Sequence, residues 1–177
     1  MRTGTSILLA AICMMILAAC SRKHKTAEEG KPVVTVSIPA QQWLLQQIAG
    51  DRMEVQSLLG PTSNPETFEP DMRQLMNLEQ SRAFFCTGMA GFEEAMREKI
   101  AENFPSLRIC DSSGEIIPRM HTHEGGVVHE DYDPHIWTSL KNARIIAAEM
   151  LNEIIEIDPA GEQIYSEKFR KLDSRLA

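Results

Sequence analysis

Short apolar runs alternate with amphipathic segments through most of this sequence, and this alternation limits most strongly how the chain can fold. The runs are rich in β-branched or aromatic side chains, which favours strands. The amphipathic segments carry apolar residues at spacings of three and four, which is typical of helices. Because the connections are short, the strands are expected to be parallel and covered by the helices. The four predicted strands cover Pro32–Ile38, Met53–Leu59, Ala83–Cys86 and Leu107–Cys110.

The pattern therefore predicts an α/β lobe over residues 32–158, with a parallel four-stranded sheet flanked by helices. Ligands of such sheets bind in the loops beyond the carboxyl ends of the strands. Two polar loops fall at such positions, Gly60–Pro70 and His121–His135. Both are therefore candidate parts of a binding site.

The last part of the sequence is purely helical. An apolar stripe runs through residues 143–155, and Asp158 and Pro159 are expected to end that helix and to start the next one. The second helix carries Tyr165, Phe169 and Leu172 but reaches residue 177 without a stop signal. Its apolar stripe has no evident partner, so residues 159–177 are predicted to begin a long helix, with a C-terminal part of the protein missing.

Histidine is concentrated in one short segment. The chain has five histidines, and four of them lie between residues 121 and 135, interleaved with Asp and Glu. Neutral imidazole and carboxylate coordinate borderline divalent metals such as zinc. A metal-binding function is the hypothesis that follows, the alternative being a solvated loop that happens to be rich in histidine. The four residues are His121, His123, His129 and His135.

The N-terminal residues have the pattern of an export signal. Arg2 precedes an apolar run from Ile7 to Ala19, which is too short to span a membrane but is typical of a signal peptide. The run ends in Leu17–Cys20, which resembles a bacterial lipobox, so Cys20 is the expected lipidation site. Residues 1–20 are therefore assigned to a lipoprotein signal, and the polar residues 21–31 to a flexible tether. The protein is expected to be exported and lipid-anchored on the periplasmic side of a bacterial membrane.

The charge of the chain argues against nucleic acid as a partner. The whole sequence has a formal net charge of −7, and removal of residues 1–19 takes away Arg2 and no acidic residue. The mature protein then has 17 basic and 25 acidic residues, a formal charge of −8. Such a protein repels phosphates.

Two cysteines remain for the folded part, Cys86 and Cys110. Export permits a disulfide between them. Each also lies in an apolar run, so two buried free thiols are an equally good expectation. The sequence has no CxxC motif, which excludes a structural zinc knuckle.

These features together resemble the solute-binding lipoproteins of zinc and manganese ABC importers. The resemblance rests on the lipobox, the order of strands and helices, NPETFEP at Asn64–Pro70, DPHIW at Asp133–Trp137, and the following Lys141–Ala143. It extends over about residues 33–177. It implies the N-terminal lobe of a non-enzymatic receptor, followed at residues 159–177 by the start of the helix that links two lobes, with the C-terminal lobe missing.

The resemblance also implies the site. The family holds its metal between two lobes, and His135 matches the histidine of its DPHxW motif. Glu66 stands where the family usually has a histidine, and its carboxylate is still a suitable ligand. The histidines 121, 123 and 129 resemble a short version of the metal-capturing loop of zinc-binding members. The implied cargo is Zn²⁺, with Mn²⁺ as the alternative, and the implied partners are an ABC permease and ATPase, with the membrane reached through Cys20.

Two other functions are alternatives. A zinc hydrolase would need an open metal position and a general base such as Glu124 or Glu130, but HExxH and comparable motifs are absent from the sequence. A His-rich metal buffer or an adhesin-like surface lipoprotein is the other alternative. Phe68 and Trp137 are expected to pack beside the ligand loops, and the methionines at helical spacing to lie in the core: Met72, Met76 and Met96.

Overall fold

Strands and helices follow one another in the predicted order. The computed structural model describes residues 30–65, 67–120 and 132–177. The predicted signal at residues 1–20 and nearly all of the tether lie outside these ranges. Within them, no helix is long and apolar enough to cross a membrane. The elements are β1 (Val33–Val36), α1 (Pro39–Ala49), β2 (Glu54–Ser57), α2 (Met72–Glu79), β3 (Ala83–Cys86), α3 (Gly91–Asn103), β4 (Arg108–Asp111), α4 (Leu140–Ile157) and α5 (Glu162–Leu176), with 3-10 turns at Gly50–Arg52, Ile136–Thr138 and Pro159–Gly161.

The four strands form one parallel sheet in the order β2-β1-β3-β4. Val34 lies beside Val55 across the first pair, and Phe85 beside Cys110 across the last. The predicted α/β fold with a four-stranded parallel sheet is confirmed. The connection after β1 leads to β2 on one side of β1, and the connection after β2 crosses to β3 on the other side. The carboxyl ends of β1 and β3 therefore flank the point where the connections change direction.

Helices cover both faces of the sheet, because alternate side chains of each strand point to opposite sides. Val34, Val36 and Phe85 face a core that they share with α1, α4 and α5. Phe84 and Cys86 face a second core with α2 and α3. Trp137 packs against both clusters.

Helix α2 buries less of its surface than the sequence predicts. Asp71 caps it, since its carboxylate accepts from the Gln74 amide at 2.8 Å while the Gln74 side chain accepts from the Asp71 amide at 2.8 Å. Only Leu78 is buried in this eight-residue helix. The prediction that Met72 and Met76 lie in the core is wrong, because they are 74% and 56% exposed. Met96 on α3 is buried, as predicted.

Helix α5 packs against α1 and α4 of the same lobe. Tyr165 and Leu172 are buried in the core shared with these helices. The apolar stripe of this helix therefore has a partner within the lobe, contrary to the prediction from the sequence. The periodicity identified the buried face correctly, but a helix pattern does not tell which neighbour covers it. The proposed division at residue 158 between a lobe and a linking helix stays a prediction.

Candidate metal site

The DPHIW motif lies at the carboxyl edge of the sheet. Met120 and Tyr132 form an antiparallel bridge, and the Asp133 amide donates to the Arg119 carbonyl at 2.8 Å. Tyr132 lines one surface pocket with Gly88, which lies two residues after the end of β3. The motif therefore starts from a fixed pair of backbone segments close to the edge where ligands of parallel sheets bind.

A 3-10 turn holds the backbone of His135. The His135 carbonyl accepts from the Thr138 amide at 3.1 Å and from the Thr138 hydroxyl at 2.8 Å. Ile136, in the same turn, is buried, and its carbonyl accepts from the Asn142 side chain at 3.0 Å. The turn thus connects the motif to the start of α4 and gives the histidine a fixed backbone.

The imidazole of His135 is accessible, and two side chains of the described residues contact it. Its side chain is 51% exposed, and Nδ1 lies 2.8 Å from Oδ1 of Asp133. On another side the ring meets the indole of Trp137 edge-on, with centroids 5.2 Å apart and an interplanar angle of 61°. A carboxylate can only accept, so a neutral imidazole in this contact carries its proton on Nδ1. Nε2 then has a free lone pair, which is what a metal ion requires.

Buried polar side chains brace the same edge of the sheet. The Ser37 hydroxyl donates to Gln41 at 2.8 Å, and the Gln41 amide donates to the Ser112 hydroxyl at 2.7 Å. Ser112 in turn donates to the Cys86 carbonyl at 2.7 Å. These bonds join the carboxyl ends of β1, β3 and β4 to α1. The polar groups of these side chains hydrogen-bond to one another and to the backbone, so they stabilise this edge of the sheet and are not available to bind a ligand.

Glu93 is a buried carboxylate that the sequence reading did not single out. It is 1% exposed and accepts from the Thr87 amide at 2.8 Å and from the Thr87 hydroxyl at 2.7 Å. The Ala90 amide adds a third bond at 3.3 Å. Its position in the first turn of α3 is the signal that could have identified it as a capping residue. It fixes the turn between β3 and α3.

Of the predicted metal ligands, the structure describes His135 alone. Glu66 lies outside the described residues, and so do the three loop histidines and the lipidation site: His121, His123, His129 and Cys20. In the described part of the chain, no group of three or more His, Cys, Asp or Glu side chains could hold a metal. The assignment of Glu66 and of the loop histidines stays a prediction.

The two aromatic residues next to the predicted ligands do pack as expected. Phe68 lies edge-on to Phe92 of α3, with centroids 5.4 Å apart and an interplanar angle of 85°. Trp137 is partly buried against both cores. The loop that carries Glu66 and the motif that carries His135 are each attached to the lobe through an aromatic side chain.

Several known proteins with a similar sequence are named as lipoproteins that bind a metal or serve a metal ABC transporter. The zinc-binding lipoprotein AdcA of Streptococcus pneumoniae is 25% identical over 97% of this chain and 37% of its own length. The manganese ABC transporter substrate-binding lipoprotein PsaA of Streptococcus anginosus is also 25% identical, over 99% of this chain and 58% of its own. This chain therefore spans between about a third and three fifths of the length of these relatives.

A solved structure has both a similar sequence and a similar fold. The crystal structure of ZnuA is 32% identical, covers 82% of this chain and 54% of its own, and superposes with a TM-score of 0.71. The family model described as zinc-uptake complex component A, periplasmic, matches residues 34–177. That match takes in all strands and helices from β1 to α5 except the first residue of β1. The chain belongs to the ZnuA family of periplasmic zinc-uptake components.

Proposed function

We propose that this chain is the metal-binding lobe of a lipid-anchored receptor that delivers Zn²⁺ to an ABC importer. One observation carries the proposal: the His135 imidazole is 51% exposed at the carboxyl edge of the sheet, and Asp133 occupies Nδ1, which leaves Nε2 as the unprotonated nitrogen of the neutral ring. Such an arrangement suits capture of a cation from solution. The family is a solute-binding component without enzymatic activity, which argues against the zinc hydrolase alternative.

Zinc is proposed over manganese because of the ligand type. Imidazole nitrogen suits zinc, whereas manganese prefers oxygen ligands. The four histidines near the DPHIW motif supply such nitrogen, and Glu66 would add one carboxylate. Relatives named for zinc and for manganese are equally similar to this chain, at 25% identity, so the choice rests on these side chains.

The ligand set is proposed to have a strong and a weak part. His135 and Glu66 would hold the cargo ion, and the histidines 121, 123 and 129 would bind further ions weakly and exchange them. Export, lipidation at Cys20, and delivery to a permease and its ATPase complete the proposal. The lipoprotein names of the relatives support the anchored location. The acidic charge of the chain is compatible with attraction of cations.

A competitive Zn²⁺ and Mn²⁺ titration of the chain tests this function. Wild type is expected to prefer Zn²⁺, and His135→Ala is expected to weaken the tightest site by more than the roughly 10–100-fold that loss of an outer partner costs, because a direct ligand is lost. His24→Ala is the matched control, since it removes a histidine from the predicted tether, and it should leave that site unchanged.

Replacement of the three loop histidines separates the receptor from the buffer hypothesis. The triple variant is expected to lose weak binding and to keep the tightest site. If only the triple variant loses binding and His135→Ala does not, the protein is a loop-based metal buffer. Absence of zinc binding by wild type would contradict the proposal that this lobe carries a ligand set.

A further inference from the structure

Asp133 makes two hydrogen bonds to His135 through one oxygen atom. Oδ1 lies 2.8 Å from the Nδ1 atom of the ring and accepts from the His135 amide at 2.9 Å. Pro134 lies between the two residues and fixes one backbone angle of the turn. The carboxylate is thus held against both the backbone and the side chain of the histidine.

Asp133 is itself held in place. Its amide donates to the Arg119 carbonyl at 2.8 Å, next to the Met120–Tyr132 bridge. Its side chain is 37% exposed, less than the 51% of the His135 side chain. The carboxylate is therefore less accessible to solvent than the imidazole that it contacts.

Trp137 limits rotation of the His135 ring away from Asp133. The indole is edge-on to the imidazole at a centroid distance of 5.2 Å and is partly buried against both cores. Rotation of the imidazole away from Asp133 would give up both this contact and the hydrogen bond to Nδ1. Two neighbours with fixed positions therefore select one orientation of the ring.

We propose that Asp133 is a positioning residue that fixes the Nδ1–H tautomer of His135 and directs Nε2 towards the cargo cation. The part that concerns the cation rests on the proposed function. A carboxylate that accepts from one ring nitrogen makes the other nitrogen a stronger and better oriented ligand. Asp133 acts through His135 and does not itself need to touch the ion.

The tautomer can be measured in the metal-free chain by long-range ¹⁵N–¹H NMR of the His135 ring, at a pH where the ring is neutral. Wild type is expected to show protonated Nδ1 and unprotonated Nε2. Asp133→Ala should shift the ring towards the Nε2–H form, because the acceptor at Nδ1 is lost. Asp133→Asn keeps an acceptor oxygen of the same reach and should largely restore the wild-type pattern.

Thr138→Val is the matched control for disturbance of the turn. It removes the hydroxyl that donates to the His135 carbonyl and leaves the ring contacts in place. The tautomer should stay as in wild type. If Thr138→Val shifts the tautomer as much as Asp133→Ala does, or if Asp133→Ala keeps protonated Nδ1, the positioning role is wrong.

Zinc titration of the same variants gives the second readout. Asp133→Ala is expected to lower the affinity of the tightest site by about 10–100-fold, as removal of other such partners does, and Asp133→Asn by less. An unchanged affinity in Asp133→Ala would overturn the role towards the cation. If the tautomer depends on Asp133 but the tightest zinc site does not need His135, the positioning of the ring is supported and the proposed function is contradicted.

Discussion

Cys86 and Cys110 lie on neighbouring strands, yet their side chains project from opposite faces of the sheet. Phe85, not Cys86, is the register partner of Cys110, and adjacent residues of a strand point to opposite sides. Cys86 accordingly belongs to the core with α2 and α3, and Cys110 to the core with α1, α4 and α5. Both are free thiols, which decides between the two alternatives that the sequence leaves open.

Both thiols are therefore expected to be unreactive in the folded protein. Burial is the largest cause that raises the pKa of each thiol from 9.0 to about 12, so little thiolate is present at pH 8. In a variant with Cys13 and Cys20 replaced by Ser, maleimide should react slowly with the native protein. After unfolding in urea, it should label two thiols per chain. A reductant should not change the midpoint of thermal unfolding. Rapid native labelling, or a disulfide found by mass spectrometry, would contradict this prediction.

A charged cluster connects the end of α4 to α5 and to the turn after α1. The Arg52 guanidinium donates to Asp158 at 2.7 and 2.9 Å, and the Tyr165 hydroxyl donates to the same carboxylate oxygen at 2.5 Å. Tyr165→Phe removes one of these bonds from a buried position. Urea unfolding at pH 7 should show a loss of about 1–2 kcal/mol.

The same cluster makes stability depend on pH in the acid range. The Tyr165 hydroxyl, and after it Arg52, hold the pKa of Asp158 below its ordinary value of 3.8. The stabilisation is therefore complete above about pH 3.8 and is lost as the pH falls through the lowered pKa. Tyr165→Phe should reduce this acid dependence. Tyr132→Phe, at an exposed tyrosine, is the matched control, and an equal effect of both changes would contradict the role of the cluster.

The sequence predicts the sheet well because strand and helix periodicities are local properties. Ala83–Cys86 is both the predicted strand and β3, since four consecutive apolar residues suit a strand that is buried on both faces. Strands β1 and β2 are shorter than predicted, because their flanking residues leave the ladder at the turns, whereas β4 has the predicted length and starts one residue later. Met72 and Met76 show the limit of periodicity, since a short helix can expose part of an apolar face.

The candidate site was predictable only in part. His135 follows from the motif and from the chemistry of imidazole. The contact between Asp133 and His135 arises from a turn, and an acidic residue two positions before a histidine and directly before proline is the only local signal for it. The burial of Glu93 and the packing of α5 against α1 and α4 depend on tertiary structure, which a single sequence does not display.

Gly88 allows the chain to turn after β3. Its φ is +71°, and a Cβ there would lie 2.5 Å from Oδ2 of Asp111. Gly88→Ala should cost about 1–2 kcal/mol, since L residues are strained in this region and the Asp111 side chain must move. Gly91→Ala is the matched control, because a Cβ at this first residue of α3 would meet nothing within 4 Å. Urea unfolding should show a loss for Gly88→Ala alone, and equal stabilities would refute the strain argument.

Helix α5 should contribute to the stability of this lobe through Leu172. The side chain is 1% exposed and lies in the core with α1 and α4. Leu172→Ala should therefore destabilise the protein by about 2–5 kcal/mol, through lost apolar burial and the cavity left behind. Ile164→Ala on the same helix is the matched control, because Ile164 is 42% exposed and its truncation should cost less than about 0.5 kcal/mol. Urea unfolding of both variants, followed by far-UV circular dichroism, measures the difference. If Leu172→Ala costs no more than Ile164→Ala, α5 does not stabilise the fold, and the lobe ends before it.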